Sequence, residues 1–209
     1  SKRYESSFAA LRADGWVLEE VSLPNIEKAL PCYYILTPSE ISSNLERYDG
    51  VRYGSIAPEA ADLAGTYFET RGEFFGDEAQ RRILAGTYAL SAGYYDAFYK
   101  KAMQVRTLII EDFNSAFQNY DILIGPTAPS PAFSIGAHND DPAELYLLDI
   151  MTVSANLAGI PAISIPIAGD DHLPLGLQLM AAQKCESKLL GAAQSAETTL
   201  QTELAEVTP

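Results

Sequence analysis

Three short apolar runs in the second half of the chain, each bounded by proline or glycine, make this a protein with a few buried strands set among helices. Residues 120–125 (Tyr-Asp-Ile-Leu-Ile-Gly) lead into Pro126, Thr127, Ala128 and Pro129, the pattern of a buried strand feeding a rigid loop. A loop at a strand end is also placed to line a site. Residues 161–167 and Leu175–Met180 supply two more strands, and the polar stretch Gly169, Asp170, Asp171 and His172 between them predicts a hairpin. Elsewhere the spacing is helical. The clearest case is 93–116, where Phe98, Ala102, Val105, Ile109 and Phe113 recur at helical spacing and form one apolar face suited to core packing.

Further helices are expected over 3–13, ending at Gly15, and over 59–71, Asp77–Leu90, 142–158 and 188–204. Residues 16–23 alternate weakly, as a strand would. Residues 25–47 are helical but interrupted by Pro31 and Pro38. Thr37, Pro38, Ser39 and Glu40 read as a capping box, so either a new helix starts there or one long helix kinks. Residues 48–55 form a glycine-punctuated loop.

Composition removes several classes of function. No apolar run approaches the ~20 residues of a membrane span, and the basic N-terminus has no apolar stretch behind it, so a cytoplasmic protein is expected. The formal charge of −14 sets the surface against a phosphate backbone, so any RNA should be held by another subunit. Cys32 and Cys185 are far apart and form no metal motif, and a chain of this size has no need of a disulfide. His138 and His172 sit in polar, turn-like stretches and read as solvated loop residues.

No phosphate-binding glycine loop, dinucleotide fingerprint, serine-hydrolase elbow or His-Glu-x-x-His zinc motif is present in the sequence. Nor does any set of His, Cys and carboxylates have metal-ligand spacing, so no metal is expected in this chain. Motif reading alone defends no nucleophile.

Residues 29–54 (from Ala-Leu-Pro-Cys-Tyr-Tyr through Tyr-Asp-Gly-Val-Arg-Tyr-Gly) and residues 81–109 (from Arg-Arg-Ile-Leu-Ala-Gly through Val-Arg-Thr-Leu-Ile) are collinear with a third group. That group comprises 120–129, then 156–166 (Asn-Leu-Ala-Gly-Ile-Pro-Ala-Ile-Ser-Ile-Pro) and 174–179 (Pro-Leu-Gly-Leu-Gln-Leu). Together they resemble the amidase-signature family, and the first two stretches resemble its glutaminase branch in tRNA-dependent amidotransferases. The resemblance implies an α/β fold with a mixed β-sheet flanked by helices on both faces. Residues 1–209 would then be the C-terminal part of a single amidase-signature domain.

Enzymes of this kind use a serine nucleophile, a cis-serine and a lysine from a Gly/Ser-rich N-terminal segment. This sequence has no Gly-Gly pair, and its Ser-Ser pairs, Ser6-Ser7 and Ser42-Ser43, lie in no glycine-rich loop. No catalytic residue is therefore assigned, and the chain by itself is expected to be inactive. What the resemblance carries over is the glutamine-binding side: Tyr33, Arg82 and Asp149. Arg82 would take the α-carboxylate, Asp149 the α-ammonium, and the Tyr33 hydroxyl would assist. Arginine suits a carboxylate because its planar fork can make two parallel hydrogen bonds. Taken alone, Tyr33 also fits a core tyrosine and Arg82 a helix-surface charge. Asp149 lies among Tyr146, Leu147, Leu148 and Ile150, an apolar setting in which a bare carboxylate would be costly.

The resemblance further implies a parent enzyme that releases ammonia from glutamine and passes it to a B subunit, where ATP and magnesium drive conversion of Glu-tRNA(Gln) to Gln-tRNA(Gln). A small C subunit would complete the complex. Two other readings stay open: a stand-alone amidase of another amide, and a non-catalytic binding or assembly module.

Overall fold

The computed structural model describes residues 2–57, 60–135, 137, 142–167 and 173–205, with no side-chain description at 142–144 or 201–205. His138, His172 and the turn 169–172 lie outside the described residues. The chain divides into two compact units, one of residues 1–30 and 106–209, the other of residues 31–105.

In the first unit, helix α1 (Lys2–Ala13) stops where the sequence puts glycine. Gly15 has φ +96°, and the Trp16 N–H bonds back to the Leu11 carbonyl while the Gly15 N–H bonds to that of Arg12. This reversed pair of bonds closes the helix end in a conformation that glycine adopts without strain. Strand β1 (Leu123–Pro126) pairs antiparallel with β3 (Leu175–Met180), which pairs antiparallel with β2 (Ala162–Ile167), giving the order β1-β3-β2. All the pairings among the described residues are antiparallel, and the β2–β3 register agrees with the expected hairpin.

Side chains alternate across such a sheet. One face carries Ile165, Ile167, Leu175, Leu177 and Leu179, packed with Leu11 of α1 and with Leu189, Ala193, Ala196 and Leu200 of helix α8 (Glu186–Ala205). Helix α5 (Lys101–Ala116) buries Ile109 and Phe113 almost completely. The opposite face of the sheet carries Thr127, Ser164, Gly176 and Gln178. It is approached by the stretch α6 (Pro142–Leu147), a 3₁₀ turn (Leu148–Met151) and α7 (Val153–Ala158), through a bond from Gln178 to the Met151 carbonyl.

The second unit holds most of α2 (Ala29–Asn44), then α3 (Leu63–Phe74), α4 (Asp77–Leu90) and a π-helical turn over Asp96–Lys100. Helix α2 runs through Pro38 without a new start, so the capping-box reading gives way to a single helix. Ser39 Oγ and Ser42 Oγ instead bond to backbone carbonyls within that helix, at 2.7 and 2.9 Å. Asp62 caps α3 by accepting the Gly65 N–H. The 48–55 loop is built on Asp49, which accepts the Val51 and Arg52 N–H groups and the Arg52 Nε–H.

Three expectations are corrected. Residues 16–23 form no strand: among the described residues no strand pairs with them, and Val17 is 87% exposed. The 142–158 helix is broken in three, because the chain tightens to 3₁₀ geometry at Leu148–Met151. The 93–116 helix begins as a π-helical turn, and Phe98 leaves the core stripe to join Tyr88 and Tyr94 in a half-exposed aromatic cluster with centroids 4.4 to 6.1 Å apart. Among the described residues no helix is long and apolar enough to cross a membrane, and both cysteines are free thiols.

Candidate functional site

Tyr33 and Arg82 reach each other from different helices of the second unit. Tyr33 projects from the first half of α2 and Arg82 from the first half of α4. Their approach depends on a glycine one turn beyond Arg82. A Cβ at Gly86 would overlap the Pro38 carbonyl and stand 2.8 Å from Ser42 Oγ, so only glycine allows α4 this close to α2. The Arg82 guanidinium donates a hydrogen bond to the Tyr33 hydroxyl, and its Nε donates to Glu78 Oε1 at 2.8 Å. Glu78 Oε2 also pairs with Arg81. One carboxylate thus serves both arginines of the motif, and the Arg82 side chain is three-quarters buried where that of Arg81 is half-exposed.

Burial is the largest single influence on Arg82 and acts against its charge. Glu78 and then Tyr33 outweigh it, and the guanidinium is held above its ordinary pKa. The side chain is therefore a permanent cation, sheltered from water and fixed by two partners. Such a group suits a carboxylate ligand. Sequence reasoning misses Glu78, although its place four residues before Arg82 on a helix is a readable signal.

Asp149 belongs to the first unit, on the 3₁₀ turn between α6 and α7. It is exposed, as are Leu147 and Ile150. The apolar burial expected from its sequence neighbours does not occur, because tightening of the turn carries these residues to the surface. The Asp149 carbonyl accepts both the N–H and the Oγ1–H of Thr152, at 2.9 and 3.1 Å.

Beside that turn lies an open cleft of about 340 Å³ lined by Thr127, Thr152, Asn156, Ser164 and Gln178, among others. Thr127 Oγ1 and Ser164 Oγ share a hydrogen bond of 2.7 Å across the central strand. Gly176 lies between them, where a methyl group would come within 2.8 Å of both hydroxyl oxygens. Of this row the sequence points only to Thr127, as part of a site-lining loop. Ser164 and Gln178 look like ordinary strand residues until the register aligns them. Among the described residues no group of three or more His, Cys, Asp or Glu is placed to hold a metal ion.

The amidase family model matches residues 1–190, across both units. The A subunit of glutamyl-tRNA(Gln) amidotransferase from Halorhodospira halophila is 52% identical over 188 residues, covering 90% of this chain and 39% of that protein. Its counterpart from Shouchella clausii is 57% identical over 170 residues, 81% of this chain and 35% of the relative. The crystal structure of the corresponding protein from Thermotoga maritima superposes with a TM-score of 0.69 at 36% identity, over 94% of this chain and 38% of that one. The chain thus spans about two-fifths of the length of these relatives. With a family match over most of its length and the same fold in a solved relative, this chain belongs to the amidase family.

Proposed function

We propose that this chain is the glutamine-holding part of the glutaminase subunit of a tRNA-dependent amidotransferase that converts Glu-tRNA(Gln) to Gln-tRNA(Gln). The observation that carries the reading is the three-quarters-buried Arg82, held between Glu78 and Tyr33 in a chain 52% identical to an amidotransferase relative. Arg82 receives the α-carboxylate of glutamine, with the Tyr33 hydroxyl beside it, and Asp149 receives the α-ammonium. The side-chain carboxamide then points towards a serine nucleophile, with its cis-serine and lysine, supplied outside this chain.

The ammonia released is used by a partner B subunit with ATP and magnesium, and a C subunit completes the complex. The −14 charge fits a protein that leaves the tRNA to its partner. A cytoplasmic location follows from that role.

Calorimetric titration of the parent protein with glutamine tests this reading. Binding at millimolar or tighter concentration, lost in Arg82→Ala, is the expected result. Equal binding by both proteins would remove Arg82 from the site. An amidase activity on an uncharged amide that survives Arg82→Ala would favour a stand-alone amidase.

A further inference from the structure

We infer that Gln178 is a positioning residue for Asp149, holding the 3₁₀ turn against the sheet so that the carboxylate selects substrates with an α-ammonium group. The inference rests on the reading of Asp149 given above and adds the device that fixes its place.

Gln178 sits at the centre of β3, the middle strand, and is only 4% exposed. Its register partners are Gly125 on β1 and Ser164 on β2, both small, which leaves its long side chain room on that face of the sheet. The amide nitrogen donates to the Met151 carbonyl at 2.9 Å and approaches the Pro126 carbonyl at 3.5 Å. Two carbonyls facing one amide require the donor end and exclude a carboxylate in its place.

Met151 is the last residue of the Leu148–Met151 turn, in which Asp149 is the second. Two neighbouring carbonyls that bear on its geometry are also tied. Thr152 takes that of Asp149 through its N–H and its hydroxyl, and Asn156 Nδ2 takes that of Thr152 at 3.0 Å. The turn is therefore braced from within by Thr152 and from the sheet by Gln178. The net contribution of such a hydrogen bond to stability is modest, because folding exchanges it for hydrogen bonds to water. Its distinctive effect is directional, since a hydrogen bond fixes where the Met151 carbonyl lies and an apolar contact does not. A short loop that must present one carboxylate to a ligand needs that restraint.

The test compares glutamine with glutaramic acid, which keeps the carboxylate and the carboxamide but lacks the ammonium. Affinities for both are measured in the parent protein and in Gln178→Met, Thr152→Val and Asp149→Asn. The wild type should prefer glutamine by at least about tenfold, the scale of one charge-assisted contact. Gln178→Met should lose most of that preference by weakening glutamine while leaving glutaramic acid unchanged. Thr152→Val should shift it the same way by less, and it decides the matter if Gln178→Met does not fold. If Asp149→Asn abolishes the preference and the two bracing variants retain it, the positioning role is overturned while the ammonium reading survives. If Asp149→Asn retains the preference, both fall. Equal weakening of the two ligands in Gln178→Met would make the residue merely structural and overturn the inference.

Discussion

Gly86 of α4 lies directly against the Pro38 carbonyl of α2, a contact with no room for a side chain. It therefore sets the spacing at which Arg82, one turn earlier, meets Tyr33. Gly86→Ala should destabilise the chain by about 1–3 kcal/mol through overpacking, despite the better helix propensity of alanine. It should also weaken glutamine binding by the parent protein. Gly191 in α8 has nothing within 4 Å of its missing side chain. Gly191→Ala should stabilise by about 0.5–1 kcal/mol. Urea denaturation of both variants checks the contrast, and the same sign for both would remove the steric argument.

Gly176 is the second glycine whose lack of a side chain shapes its surroundings. Alanine there would press on Thr127 Oγ1 and Ser164 Oγ and separate the hydroxyl pair. Gly176→Ala should cost about 1–3 kcal/mol, and Ser164→Ala introduced alongside should recover part of that loss. A double-mutant cycle reads the coupling, and strict additivity of the two changes would contradict the packing described.

Much of the chain's organisation is legible in the sequence because local chemistry and fold agree. The boundaries of α4 and β3 follow from periodicity, and Gly15 and Gly159 end their helices in left-handed conformation as glycine at those places suggests. Residues 16–23 mislead because alternation describes a strand's side chains but says nothing of whether a neighbouring strand is present to bond it. Around Asp149 the apolar neighbours suggest burial, yet a turn too short to present one continuous face leaves Leu147 and Ile150 exposed. Tyr33 and Arg82 come from motif resemblance. Their bond, and the shared Glu78, need the packing of two helices. Ser164 and Gln178 are invisible in the sequence because only strand register makes a row of them.

The Asp49 carboxyl is held down to about 2, first by the Arg52 backbone N–H, with burial opposing and the Val51 N–H and Arg52 guanidinium assisting. Its folded value lies below the ordinary 3.8, so its contribution to stability is complete above pH ~4 and is lost as pH falls towards 2. Asp49→Asn should lower the melting temperature at neutral pH and flatten its fall between pH 4 and 2. An unchanged acid limb in the variant would show that Asp49 is not the group responsible.

Leu177 is fully buried at the centre of the apolar sheet face, beneath α1 and α8. Leu177→Ala should cost about 2–5 kcal/mol, measured by chemical denaturation. A loss under about 1 kcal/mol would mean that this face is loosely packed.

The alternation along β3 places Leu175, Leu177 and Leu179 on one side and Gly176 and Gln178 on the other. Six consecutive residues therefore carry two unrelated duties that differ only in parity. Substitutions can alter one duty at a time, but a single-residue insertion or deletion would exchange them, turning leucines into the cleft and the glutamine amide into the interior. Parity, rather than any single side chain, is what keeps the two duties of this segment apart.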